Sequence, residues 1–170
     1  AMIRRLEMDH IPQIRLVFML TKNDDADFDR NAVTQCLGIS PSKTSAPTLS
    51  KGKLQYVGSD IHEAEKALFG FTILPAEAPP YRMLKHACWS IEFPKSECFS
   101  LEEPLQQAEQ ILYEKATAVR HLCEEYNLSS DLIIRIFAES NNMPELVLPE
   151  NSVSFWAAMG ATISFDFYLD

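Results

Sequence analysis

The sequence predicts an α+β domain, a mostly antiparallel sheet with helices packed on one face, of ferredoxin-like or related topology. Three observations predict it. Strand-like alternation recurs at residues 14–20, 87–93, 132–139 and 162–169. Segments of helical period stand between these runs, the longest at 100–126. The resulting order is β-α-(β)-α-β-α-β-α-β, with the longest helix directly before an apolar strand.

Each element has its own local reason. Ile14, Leu16, Phe18 and Leu20 alternate with Arg15, Val17, Met19 and Thr21, and apolar residues on both sides predict a well-buried strand. An acidic loop follows, Lys22 to Asp29, and then a short helix. Asp29 suits its N-cap, because a carboxylate there accepts from the free N–H groups of the first turn; Gly38 suits the position after its end. Val33, Cys36 and Leu37 form the inner edge. Residues 42–52 are rich in Ser, Thr, Pro and Gly and predict irregular backbone, with an edge strand at 53–57. Asp60 and Glu63 have capping-box spacing for a helix over 60–69 that Gly70 ends. Pro75, Pro79 and Pro80 then force a loop.

In the strand at 87–93, Ala87, Trp89, Ile91 and Phe93 share one side and Cys88, Ser90 and Glu92 the other. Pro94 stops it. The helix at 100–126 gathers Leu105, Ala108, Ile111, Leu112, Ala116, Val119, Leu122, Cys123 and Tyr126 on one arc, and at 1.5 Å per residue would span on the order of 40 Å. Ser100 and Glu103 offer a capping box, and Pro104, without an N–H, bears on the exact start. The strand at 132–139 alternates Leu132, Ile134 and Ile136 with Ile133, Arg135 and Phe137. Pro149 then suits the first helical position and Gly160 the position after the end of a helix whose apolar arc centres on Trp156. The final strand, 162–169, sets Ile163, Phe165, Phe167 and Leu169 against Thr162, Ser164, Asp166 and Tyr168.

Several short signatures stand in a recognisable order. They are Leu37-Gly38-Ile39-Ser40-Pro41 after the acidic helix start, Cys88-Trp89-Ser90-Ile91 before the long helix, and Gly160 followed by Ile163-Ser164-Phe165-Asp166-Phe167-Tyr168. In these the chain resembles a bacterial family catalogued only as domain of unknown function 4279, over roughly residues 14–50 and 86–170. The stretch 51–85 stands outside the resemblance as an atypical insertion in a single domain over 1–170. The resemblance implies an α+β domain of the bacterial cytoplasm and brings no reaction, cofactor or catalytic residue.

With 46% hydrophobic and 23% charged residues, the chain of 170 has the composition of a soluble globular domain. Its 15 basic and 24 acidic residues give a net charge of −9, which opposes binding to a phosphate backbone unless basic residues cluster, and the densest basic pair is Arg4 and Arg5. No nucleic acid is expected. No apolar run reaches the ~18 residues of a membrane span, so no membrane is expected either. Cys36, Cys88, Cys98 and Cys123 form no C-x-x-C pair, and free thiols in a reducing cytoplasm are expected.

Motifs of catalysis and metal binding fail on spacing. Asp25, Asp27 and Asp29 alternate as calcium ligands do, but Arg30 stands where the turn needs Gly and Cys36 where a bidentate Glu belongs. His62-Glu63 lacks a second histidine four residues on. His10, His86 and His121 have no Cys or His at ligand spacing. There is no G-x-S-x-G elbow and no Gly-rich phosphate loop. Trp89 could stack a ligand, although Ala87, Ile91 and Phe93 beside it point to the core. Lys115, alone in the long helix's stripe, either snorkels past the rim or pairs with Glu92 or Glu139. No cofactor is expected.

Two functions follow as expectations. One is a non-enzymatic binding protein, such as an immunity protein masking a basic toxin domain, with Asp24, Asp25, Asp27, Glu139 and Glu145 as the contacting charges. The alternative is a small-molecule-binding or enzymatic domain, its pocket between the uncovered sheet face and residues 51–85 and its polar groups at Ser90, Glu92 and Arg135. A deep pocket with convergent polar groups would favour the second and a flat acidic surface the first.

Overall fold

The computed structural model describes residues 10–52 and 81–170. The chain divides into two compact units, one of residues 1–47 with 86–170, the other of residues 48–85. In the first unit β1 (Gln13–Lys22) lies in the middle of a six-stranded sheet of order β2-β5-β1-β7-β8, where β2 is Lys43–Ser45, β5 Cys88–Glu92, β7 Leu128–Ala138 and β8 Thr162–Leu169. The short β6 (Ser96–Glu97) pairs with β1 beyond the end of β5. Within the second unit β3 (Thr48–Gly52) and β4 (Tyr81–Lys85) form an antiparallel pair. The edge strand expected at 53–57, the helix at 60–69 and the His62 stretch lie outside the described residues.

The α+β class holds, but the sheet is mixed where a mostly antiparallel one was expected. β1 runs antiparallel to β5 and β7, whereas β7 and β8 run parallel. Because β5 and β7 are both antiparallel to β1, they are parallel to each other with β1 between them, as in the split βαβ unit of ferredoxin-like folds. β7 and β8 depart from that pattern: a helical crossover joins two parallel strands that touch.

The helices of the described residues cover one sheet face, and sequence alternation decides which. Ile14, Leu16, Phe18 and Leu20 of β1, Trp89 and Ile91 of β5, and Leu132, Ile134 and Ile136 of β7 are buried on that side. Against them pack Val33 and Leu37 of α1 (Arg30–Leu37), Leu105 and Ala108 of α2 (Glu102–Ile111), Val119 and Leu122 of α3 (Ala116–Tyr126) and Trp156 of α4 (Glu150–Ala158). Asp29 caps α1 by accepting from the Ala32 N–H at 3.0 Å, and Gly38 ends it at φ 66°.

The continuous helix expected over 100–126 is two helices. α2 ends at Ile111, Lys115 N–H bonds Leu112 O at 3.1 Å, and Glu114 takes φ 60° before α3 begins. A straight helix on the order of 40 Å long would overrun strands of 10 and 11 residues, which span roughly 35 Å. Both halves contribute to the core, Leu105, Ala108 and Leu112 before the break and Val119 and Leu122 after it. The Ser100–Glu103 box is also replaced: Ser100 Oγ accepts from the Glu102 N–H at 3.1 Å, while Glu103 accepts from the Gln107 amide. Pro104 falls in the first turn, where its missing N–H would have had no partner.

In α4, Trp156 is fully buried as expected; Ser152 is buried beside it and Val153 is exposed. Pro149 stands one position earlier than expected, as N-cap rather than first helical residue, and Gly160 follows the helix at φ 68°. Among the described residues neither Glu92 nor Glu139 takes Lys115 as ion-pair partner; Glu92 meets Arg15 and Arg135, and Glu139 meets His10.

Candidate protein-binding surface

The five acidic residues singled out from the sequence fall at opposite ends of the sheet. Asp24, Asp25 and Asp27 follow the last residue of β1, whereas Glu139 and Glu145 follow β7, which runs antiparallel to it. A strand of ten residues separates the two groups by roughly 30 Å.

At the first end Asp24 and Asp27 serve the fold, while Asp25 is exposed. Asp24 accepts from the Ala26 N–H at 2.9 Å and from Asn127 Nδ2 at 3.2 Å, with Lys22 Nζ 3.4 Å away. The Ala26 backbone bond, helped by Asn127 and Lys22, holds its pKa below the usual carboxylate value. Asp27 binds the Arg30 guanidinium and accepts from the Phe28 N–H at 2.9 Å; the Arg30 bond comes first in lowering its pKa. Asn23 N–H bonds Asn127 O at 3.1 Å, so the loop after β1 is stitched to the turn between α3 and β7. Lys22 closes the same junction by donating to Tyr126 O at the C-terminus of α3, where exposed carbonyls favour a cation.

The other end has a different character. Glu145 N–H bonds Phe99 O at 2.7 Å, Cys98 N–H bonds Pro12 O at 3.0 Å, Asn142 Nδ2 bonds His10 O at 2.7 Å, and Asp170 N–H bonds Ala138 O at 3.3 Å. These bonds draw four chain segments together. They leave large apolar side chains outward: Ile11, Phe99 (49% exposed), Leu146, Val147 (56%) and, at the tip of β8, Phe167 and Leu169. Glu97, Glu145 and Asp170 are exposed among them, and Glu139, 4.0 Å from His10, stands at the margin. Sequence reasoning found Glu139 and Glu145 but missed the apolar group, whose members lie in four separate stretches and share no periodicity.

The second sheet face carries a ladder of charge. Arg15 and Arg135 are direct cross-strand partners; Glu92 lies 3.7 Å from each, and Asp166 lies 3.9 Å from Arg135. The Nε atoms of both arginines are buried without a hydrogen-bond partner among the described residues. Along β7 from Arg135, Phe137 stacks on Tyr168 at 4.7 Å, and Lys95 Nζ sits 4.2 Å over the Phe137 ring. Asp131 occupies the same face, and burial raises its pKa. Ser90, Glu92 and Arg135 thus do share a face, joined by Arg15 and Asp166, which the sequence reading passed over. Trp89 is on the other face, fully buried, with its indole N–H on Thr34 Oγ1 at 3.0 Å.

A concave surface is found on the helices instead. An open groove of about 410 Å³ is lined by Gln106, Glu109, Gln110 and Tyr113 of the α2 segment and Asn151 and Phe155 of α4. It holds side-chain amides and one carboxylate, without a nucleophile beside a base. Among the described residues no three of His, Cys, Asp and Glu gather as metal ligands do, and no helix is long and apolar enough to cross a membrane. The four cysteines are free.

The model of the family described as domain of unknown function (DUF4279) matches residues 69–170, which hold α2, α3, α4, β7, β8 and the central part of the charge ladder. The chain belongs to this family. The match starts inside the stretch expected to stand outside the resemblance and does not extend over residues 14–50, so it takes in β5, β6, β7, β8 and the helices α2 to α4 but not β1, α1 or β2. No curated protein and no solved structure gives a significant match to the chain.

Proposed function

We propose that this DUF4279 protein is a non-enzymatic binding protein whose docking surface is the end of the sheet bearing Glu139 and Glu145. The observation that supports it is the gathering there of Phe99, Leu146, Val147 and Ile11, exposed and apolar, among Glu97, Glu145 and Asp170. An apolar centre with a charged rim is the anatomy of protein interfaces, and scattered single apolar residues are not. The acidic rim and the net charge of −9 suit a basic protein. An immunity protein that covers a basic toxin domain in the bacterial cytoplasm fits this description, and four free thiols fit a reducing compartment. Of the charges named from the sequence, Glu139 and Glu145 belong to the interface, whereas Asp24 and Asp27 are committed to local bonds.

Affinity capture from the native host at low and high salt tests this function. A basic protein held at low salt and released by high salt is the expected result. Absence of any such partner, together with melting shifts induced by metabolites, would overturn it in favour of small-molecule binding. The charge ladder with Ser90 favours that second function, for which Arg15 and Arg135 would receive an anionic group; it ranks lower because Glu92 and Asp166 already neutralise both guanidiniums.

A further inference from the structure

The two edges of the main sheet are built differently. β2 is three residues long with Lys43 and Thr44 exposed, and short, Lys-bearing edges resist pairing with another chain. β8 is eight residues long, contains neither Pro nor Lys, and pairs only with β7 among the described residues. Thr162, Ser164 and every residue from Asp166 to Leu169 are exposed. Its single charge, Asp166, is engaged by Arg135 of the neighbouring strand.

Asp170 N–H donates to Ala138 O. Backbone groups alternate in direction along a strand, so the even-numbered residues of β8 turn theirs toward β7, while Ile163, Phe165 and Phe167 turn theirs to the open edge. From this geometry we infer that β8 pairs antiparallel with β8 of a second copy of this chain, about a two-fold axis at Phe165.

Register selects that axis. A two-fold perpendicular to the sheet keeps each side chain on its own face, so only residues of equal parity can be opposed. Centring on Asp166 would oppose the two aspartates in a non-hydrogen-bonded pair, where side chains come closest. Centring on Phe167 would pair only residues 165–169. Centring on Phe165 pairs all of 162–168: Phe165 faces Phe165, Ile163 faces Phe167, Thr162 faces Tyr168, and Ser164 faces Asp166, whose carboxylate accepts from the serine hydroxyl. The exposed ring of Phe167 is thereby covered. Two chains of net charge −9 repel, so the pairing strengthens with salt, opposite in sign to capture of a basic partner.

Sedimentation of the full chain over a range of concentrations, at low and high salt, tests the pairing. The expected mass is twice 19.3 kDa at high concentration, with association favoured by salt. Phe167→Asp, at a half-exposed site where folding is checked by circular dichroism, shifts it to monomer. On mild oxidation the double variant Ser164→Cys/Asp166→Cys is cross-linked as a dimer and neither single variant is. A monomer at every concentration, a dimer indifferent to Phe167→Asp, or cross-linking by Asp166→Cys alone would overturn the inference.

Discussion

Arg15 and Arg135 stand directly opposite each other in the β1–β7 ladder, two like charges on one sheet face with Glu92 3.7 Å from both. Like charges so placed repel, and the carboxylate that bridges them offsets the repulsion. Glu92→Gln should therefore destabilise the fold by about 1 kcal/mol, a figure kept small because all three side chains are partly exposed. Arg15→Met in the Glu92→Gln background should recover part of that loss, since it removes the repulsion itself. Urea unfolding of the two single variants and the double variant, compared as a cycle, measures both effects. Equal losses that simply add would show that the three charges are not coupled.

Glu114 adopts φ 60° between α2 and α3, a conformation that glycine takes without a Cβ penalty. Glu114→Gly should raise stability by about 0.5–1 kcal/mol, the relief at the turn exceeding the added freedom of the unfolded chain. Thermal melting reads this directly, and a loss of stability would indicate that the turn is held by the glutamate side chain.

Burial raises the pKa of Asp131. Between its unfolded value of 3.8 and the raised folded value, the native state binds more protons than the unfolded state, so Asp131 makes stability fall as pH rises through that window and leaves it lower above. Asp131→Asn should accordingly melt higher than wild type at neutral pH, and the difference should vanish as pH drops below 3.8. A constant difference across pH would assign the effect to packing.

Trp89 and Trp156 are both fully buried, yet their indole N–H groups differ. That of Trp89 bonds Thr34 Oγ1 at 3.0 Å, and that of Trp156 has no partner among the described residues. Replacing each by Phe removes similar volume but strips a hydrogen bond only at Trp89. Trp89→Phe should cost about 1 kcal/mol more than Trp156→Phe in denaturant unfolding. The reverse order would mean that the Thr34 bond adds nothing.

Local chemistry made much of this legible from sequence. Alternation located β1, β5, β7 and β8, and Asp29, Gly38 and Gly160 marked helix ends where the backbone requires them. The break at Glu114 left no trace, because Leu105, Ala108, Leu112, Val119 and Leu122 stay in phase across it at 100° per residue. Strand pairing is non-local, so the parallel match of β7 with β8 could not be read from either strand alone. For the same reason five acidic residues that look alike in sequence fall at opposite ends of the sheet, Asp24 and Asp27 bonded within their loop, Asp25 exposed beside them, and Glu139 and Glu145 beyond the far end of β7. One signal was available for the ladder. Arg15, Glu92, Arg135 and Asp166 each stand as a charge at an off-core position of a strand whose alternate positions are apolar.

Charge reversal at the two ends of the sheet puts the proposed docking surface to its most direct test. Capture of a basic partner should be abolished by Glu139→Lys/Glu145→Lys and by Val147→Asp, while Asp25→Lys at the opposite end leaves it intact. Loss of capture with Asp25→Lys, or its persistence in the Glu139→Lys/Glu145→Lys variant, would contradict the assignment.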